Sequence, residues 1–184
     1  MSQLFHHLYL TGYRGSGKTS VGRWLGERLD LLVIDLDDSI EAEAGMSIRQ
    51  IFEQEGELGF RNRESAALNA VSRESPSIVS LGGGAILREE NRDIIRATGF
   101  CIWLKVDAST ALQRLAQDES STERRPSLTS LPAREEIISL LHQRDPLYSI
   151  AADAQIDVLG KSVATIGDEV LALLASGSLV KDQN

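Results

Sequence analysis

Residues Gly12 to Thr19 read Gly-Tyr-Arg-Gly-Ser-Gly-Lys-Thr, the G-x-x-x-x-G-K-[ST] spacing of a phosphate-binding loop. Each fixed position answers a physical requirement. Glycines at 12, 15 and 17 admit backbone conformations closed to residues with side chains, so N–H groups can close around a phosphate. Lys18 brings a flexible point charge to the β- and γ-phosphates, and the Thr19 hydroxyl can take a place on Mg²⁺. The apolar run Leu8-Tyr9-Leu10 precedes the loop, and Val21, Trp24, Leu25 and Leu29 follow at helical spacing. That helix aims its positive end at the bound phosphate. The expected ligand is a nucleoside triphosphate.

Other chemistry-bearing residues are spread along the chain. Asp35 and Asp37 come at the carboxyl end of a second apolar run, the edge where open parallel sheets bind ligands. In an extended segment their spacing puts both carboxylates on one side, one near a metal and the attacking hydroxyl, the other on an acceptor. Alternatively, Asp37 or Asp38 starts the next helix as its cap. A third apolar run ends Val79-Ser80-Leu81 without the aspartate that often helps hold Mg²⁺ in P-loop enzymes. Asp35 is therefore the candidate carboxylate, acting on the metal through water. Gly82-Gly83-Gly84 follows, open to close approach by a small substrate, or simply a loose turn. Arg61, Arg63, Arg124, Arg125 and Arg144 stand in three further segments. A guanidinium fork suits carboxylate and phosphate, although each arginine alone also fits a solvated surface.

The elements that must position these residues alternate between strand and helix, the sign of an α/β domain with a parallel sheet. Strands are expected near 8–11, 31–34, 77–81, 100–106 and 155–159. Helices are expected near 19–29, 38–44, 47–55, 57–72, 89–97, 133–143 and 163–174, with a further one capped by Ser109. Residues 118–132 lose apolar periodicity, as a functional loop does, and 177–184 read as a frayed tail. The 184 residues fit one domain, 42% hydrophobic and 25% charged. A net charge of −8 with no basic stretch argues against nucleic-acid binding, and cations for an anionic ligand must be concentrated locally. No apolar run is long enough for a membrane span, no signal peptide is visible, and the single cysteine, Cys101, reads as a core hydrophobe. A cytoplasmic protein is expected.

In order, the P-loop, Asp35-x-Asp37, Phe60-Arg61, Ser80-Leu81-Gly82-Gly83-Gly84, Arg125-Pro126 and Arg144-x-Pro-Leu-Tyr148 closely resemble the shikimate kinase family, from about Leu8 to the last helix. The resemblance implies a nucleoside-monophosphate-kinase-like fold, three layers α/β/α with a five-stranded parallel sheet in order 2-3-1-4-5 and a mobile lid at about 117–132. It implies γ-phosphoryl transfer from ATP to the 3-hydroxyl of shikimate, with Mg²⁺, on the way to chorismate and the aromatic amino acids. By position, Gly15, Ser16, Gly17, Lys18, Thr19, Ser20, Arg114 and Arg125 would bind ATP, and Thr19 would ligate the metal. Asp37, Arg61, Gly82, Gly83, Gly84 and Arg144 would bind shikimate, with Glu64 orienting Arg61. Lys18, Asp35 and Arg125 would carry catalysis, and Arg124 could share the role of Arg125. Arg14 receives no role, and no contact is assigned near Gly160-Lys161. A monomer is expected. Two other readings stand beside this one: another small-metabolite kinase of the same fold, such as a gluconate kinase, and a non-catalytic nucleotide-sensing domain.

Overall fold

The computed structural model describes residues 7–117 and 131–176. Five parallel strands, β1 His7–Thr11, β2 Leu32–Asp35, β3 Ser77–Ser80, β4 Gly99–Lys105 and β5 Ala154–Asp157, form one sheet in the order β2-β3-β1-β4-β5. Side chains alternate across it, and each face is covered. Leu8, Leu10, Ile78, Ile102 and Leu104 face one buried cluster, under helices α1 (Lys18–Leu29), α5 (Ala108–Gln117) and α7 (Val163–Ala175). Tyr9, Val79, Cys101 and Trp103 face the other, under α2 (Leu36–Ala44), α3 (Ile48–Val71) and α4 (Glu89–Thr98). Helix α6 (Ala133–Ala151) belongs to both, with Ile137 and Leu140 in the first cluster and Tyr148 and Ala151 in the second.

Register brings the ligand-binding elements to one edge. Ser80 pairs with Leu10 on one side and Asp35 on the other, and Leu81 N–H donates to Leu10 O at 3.0 Å. The loops after β1 and β3 and the start of α2 therefore stand together at the carboxyl end of the sheet.

Several local expectations change. Asp35 and Asp37 do not share an extended segment: Asp35 is itself the N-cap of α2, accepting from Asp37 N–H, so Asp37 lies in the first helical turn. Asp107, rather than Ser109, caps α5, because its carboxylate accepts from both Ser109 and Thr110 N–H. Hydrogen bonds from the Ser109 and Thr110 hydroxyls, helped by the two N–H bonds, hold the Asp107 carboxyl well below the usual range. Ser47 caps α3 in a reciprocal box with Gln50. The two helical runs expected on either side of residue 56 join as α3 across a kink at Gly56, whose φ of 69° suits glycine. Helix α6 runs past Gln143 to Ala151 and carries Pro146 inside it. Burial of Arg144 and Tyr148 on its inner face holds the helix through a proline that would end an isolated one.

Candidate active site

The loop between β1 and α1 folds around the Lys18 ammonium. Lys18 Nζ donates to Gly12 O at 2.8 Å and Tyr13 O at 3.0 Å, and Ser16 N–H donates to Tyr13 O at 3.2 Å. Gly12, Gly15 and Gly17 have φ of 142°, 77° and 94°. At Gly12 the limit is also space, because a Cβ there would sit 2.5 Å from Leu104 O. Ser16 is buried, so its side chain faces inward, while Ser20 is exposed. An anion seated in this loop would meet backbone N–H groups, the α1 N-terminus and Lys18 once its nitrogen leaves the loop carbonyls.

Beside the loop lies a cavity of about 330 Å³ lined by Gly17, Ser20, Val21, Arg114, Lys161, Ser162, Val163 and Ile166. Arg114 Nη1 donates to Gly15 O at 2.9 Å, so this arginine braces the phosphate loop and borders the cavity at once. Lys161 is held by Glu169 at 2.8 Å, and Ser162 caps α7. The sequence assigns no contact near Gly160-Lys161, because that loop matches the family pattern least well, yet Lys161 and Ser162 line the cavity. Only the packing of α7 against α1 brings them in.

Thr19 Oγ1 donates to Asp35 Oδ2 at 2.8 Å and lies 3.4 Å from Ser80 Oγ. Burial pushes the Asp35 carboxyl above its ordinary value, and the bond from Thr19 pulls it partly back. This set is all oxygen, the donor type that suits a small hard cation keeping most of its water and phosphate ligands. Among the described residues no group of three acidic, histidine or cysteine side chains could hold a metal unaided. Thr19 and Asp35 thus fit Mg²⁺ delivered with a nucleotide.

Across the edge, two arginines converge on the glycine triplet from different helices. Arg61, on α3, is only 6% exposed and donates from Nη1 to the fully buried Glu64 at 2.6 Å. Glu57 reaches its other edge at 3.4 Å. A Cβ on Gly84 would lie 2.6 Å from Arg61 Cζ, so the missing side chain makes room for the guanidinium. Arg144, on α6, is 6% exposed and donates to Gly83 O at 3.3 Å. Tyr148, one turn on, donates to the same oxygen at 2.5 Å. Asp37 is partly buried at the first turn of α2. Burying two guanidinium groups demands partners or a ligand, and Arg61 has Glu64 for the first purpose. Arg63 turns away to an exposed ion pair with Glu55. Arg124 and Arg125, with most of the expected lid, fall in 118–130, outside the described residues.

The structure thus gathers Lys18, Thr19, Asp35, Asp37, Arg61, Gly82–Gly84, Arg114 and Arg144 at one end of the sheet. Comparison with known proteins adds to this geometry. A family model described as shikimate kinase matches residues 14–175. A shikimate kinase of Rhodopirellula baltica is 48% identical over 165 residues, covering 90% of this chain and 88% of its own length. The solved shikimate kinase of Acinetobacter baumannii, in complex with shikimate, superposes with a TM-score of 0.88 at 34% identity, covering 95% of this chain and 94% of that one. A gluconokinase of Sinorhizobium meliloti superposes with a TM-score of 0.62 at 19% identity, covering 95% and 94%, a likeness of fold alone.

Proposed function

This chain belongs to the shikimate kinase family and is an ATP-dependent kinase of shikimate, and on that premise we propose that the residues above carry γ-phosphoryl transfer to the shikimate 3-hydroxyl. The observation that carries the reading is the pair of buried guanidinium groups, Arg61 and Arg144, meeting over Gly83 and Gly84. Two convergent forks are what a carboxylate on the acceptor needs, and an acceptor without a carboxylate would leave them unmatched.

In this scheme the acceptor carboxylate lies between Arg61 and Arg144, and Asp37 takes ring hydroxyls. The adenine side of ATP occupies the cavity between Arg114 and Lys161. Lys18 moves from the loop carbonyls to the β- and γ-phosphates. Thr19, and Asp35 through water, would hold Mg²⁺, which would supply charge neutralisation at the phosphates. The 3-hydroxyl oxygen attacks the γ-phosphorus as its bond to the β–γ bridging oxygen breaks, and ADP departs. The two Asp35 oxygens are oriented by Thr19 and the Asp37 N–H. In this scheme Asp35 acts chiefly by position, which suffices for a largely dissociative transfer, and the 3-hydroxyl proton passes to a phosphoryl oxygen or to solvent as the new P–O bond forms. Arg125 from the lid supplies further charge to the phosphates and helps exclude water. The chain works as a monomer.

A coupled assay of ADP formation against shikimate, gluconate and nucleoside monophosphates tests the acceptor. Shikimate alone is expected to support turnover; a preference for gluconate would overturn the reading, and binding of both ligands without ADP would favour a sensor. Arg144→Ala should weaken shikimate binding by about 1.5–3 kcal/mol, the value of a charge-assisted contact, and spare ATP. Arg61→Lys is the better partner variant, since it keeps a positive charge beside buried Glu64. Calorimetry showing unchanged shikimate affinity in both variants would remove the two-arginine site.

A further inference from the structure

We infer that Tyr148 is a positioning residue for the acceptor, holding the Gly83 carbonyl in place when Arg144 turns to the substrate. The inference rests on the acceptor reading above. Gly83 O receives both donors from one face of α6, four residues apart. The two bonds are unequal. The Tyr148 hydroxyl lies at 2.5 Å, at the short end for O–H···O, whereas Arg144 Nη1 at 3.3 Å is beyond the usual N–H···O range. A guanidinium that must present its fork to a carboxylate can give up the longer bond. Tyr148 has less freedom to move: it is fully buried and stacked on Trp103 with ring centroids 5.6 Å apart, and its hydroxyl meets the Arg144 guanidinium as well as the carbonyl. Burial pushes this hydroxyl well above the ordinary tyrosine value, with Arg144 pulling it partly back.

The carbonyl it holds belongs to the seam between the two halves of the site. A Cβ on Gly83 would stand 3.4 Å from Gly12 O, 3.6 Å from the Tyr148 hydroxyl and 3.8 Å from Arg14 N, so the phosphate loop and α6 both pack closely on this residue. A shift of the Gly83 peptide would therefore move the acceptor loop relative to the donor loop. Small misplacements of this kind are costly to transfer.

Tyr148→Phe removes one atom and keeps the ring stack. Its kcat/KM for shikimate should fall roughly tenfold, mostly through KM, with KM for ATP within about twofold of the parent. Tyr9→Phe is the structural control. Tyr9 is as buried and its hydroxyl is as well bonded, to Thr98 at 2.7 Å, but it sits away from the site. Thermal unfolding should show both variants destabilised, while only Tyr148→Phe changes the shikimate parameters. Shikimate kinetics unchanged within about twofold in a folded, active Tyr148→Phe protein, or an equal loss in Tyr9→Phe, would overturn the role of Tyr148. Parent protein that turns over ATP with another acceptor but not shikimate would overturn the acceptor reading instead, and the inference with it.

Discussion

The donor and acceptor halves of this site are built on opposite plans. The donor half is contiguous and made mostly of backbone: Gly12 to Thr19 form one loop, and Lys18 and Ser16 satisfy its carbonyls within the loop. The half proposed to hold the acceptor is discontinuous and made mostly of side chains, with Asp37 on α2, Arg61 on α3, the glycine triplet after β3, and Arg144 and Tyr148 on α6. A phosphate chain looks the same from any nucleotide, so a short loop of N–H groups and one lysine can serve it. An acceptor is recognised by a particular carboxylate and particular hydroxyls, which requires donors and acceptors aimed from several directions. The contrast also extends to cost. On the acceptor side the fold buries Arg61 against Glu64, a charge pair whose desolvation must be offset.

The largest expected effect separates the halves. Lys18→Ala should lower turnover on the order of 10³-fold, the scale of losing a principal charge on a transferring phosphoryl group, while leaving shikimate affinity measured without nucleotide unchanged. A parallel loss of shikimate affinity would mean that the halves are not independent.

Next comes Asp35, which belongs to both, since it holds Thr19 and caps the helix bearing Asp37. Asp35→Asn should cost about 10²-fold in turnover, because the carboxylate that would hold the metal and its water is lost. Its stability should move the other way. The Asp35 carboxyl is raised in the folded protein, so its contribution to stability is full below the ordinary value of 3.8 and is lost as pH rises through the raised one. Asparagine removes that loss and still caps the helix. In thermal unfolding without nucleotide, the variant should match or exceed the parent at pH 7, and its advantage should shrink as pH falls toward 4. A variant less stable than the parent at pH 7 would show that the charge is net favourable where it stands.

The smallest effect sharpens the acceptor side alone. Gly84→Ala introduces a Cβ into the space of the Arg61 guanidinium and should raise KM for shikimate roughly tenfold, with KM for ATP unchanged. Equal increases in both would indicate that the triplet bends as one piece with the phosphate loop.

Legibility followed the same division. The phosphate loop could be read because its chemistry is local: eight adjacent residues, a strand before and a helix after. The strand order and the gathering of Asp35, the triplet and the loop at one edge agree with what the family resemblance implied. Tyr148 appeared in the sequence only as the end of a motif, because its function depends on a carbonyl 65 residues away. The same holds for Lys161 and Ser162, which border the cavity only because α7 packs on α1. The cap of α5 was misplaced because aspartate and serine two residues apart are both good caps, and only backbone geometry chooses between them.

By itself the sequence determined the donor chemistry, the alternation of strands and helices, and the residue types available to an acceptor, since these depend on local spacing and hydrophobic period. Tertiary structure decided how the arginines are held. Arg61 and Arg144 are buried on the glycine triplet and Arg63 is spent on Glu55, a difference that appears only when α3 and α6 close over the edge of the sheet.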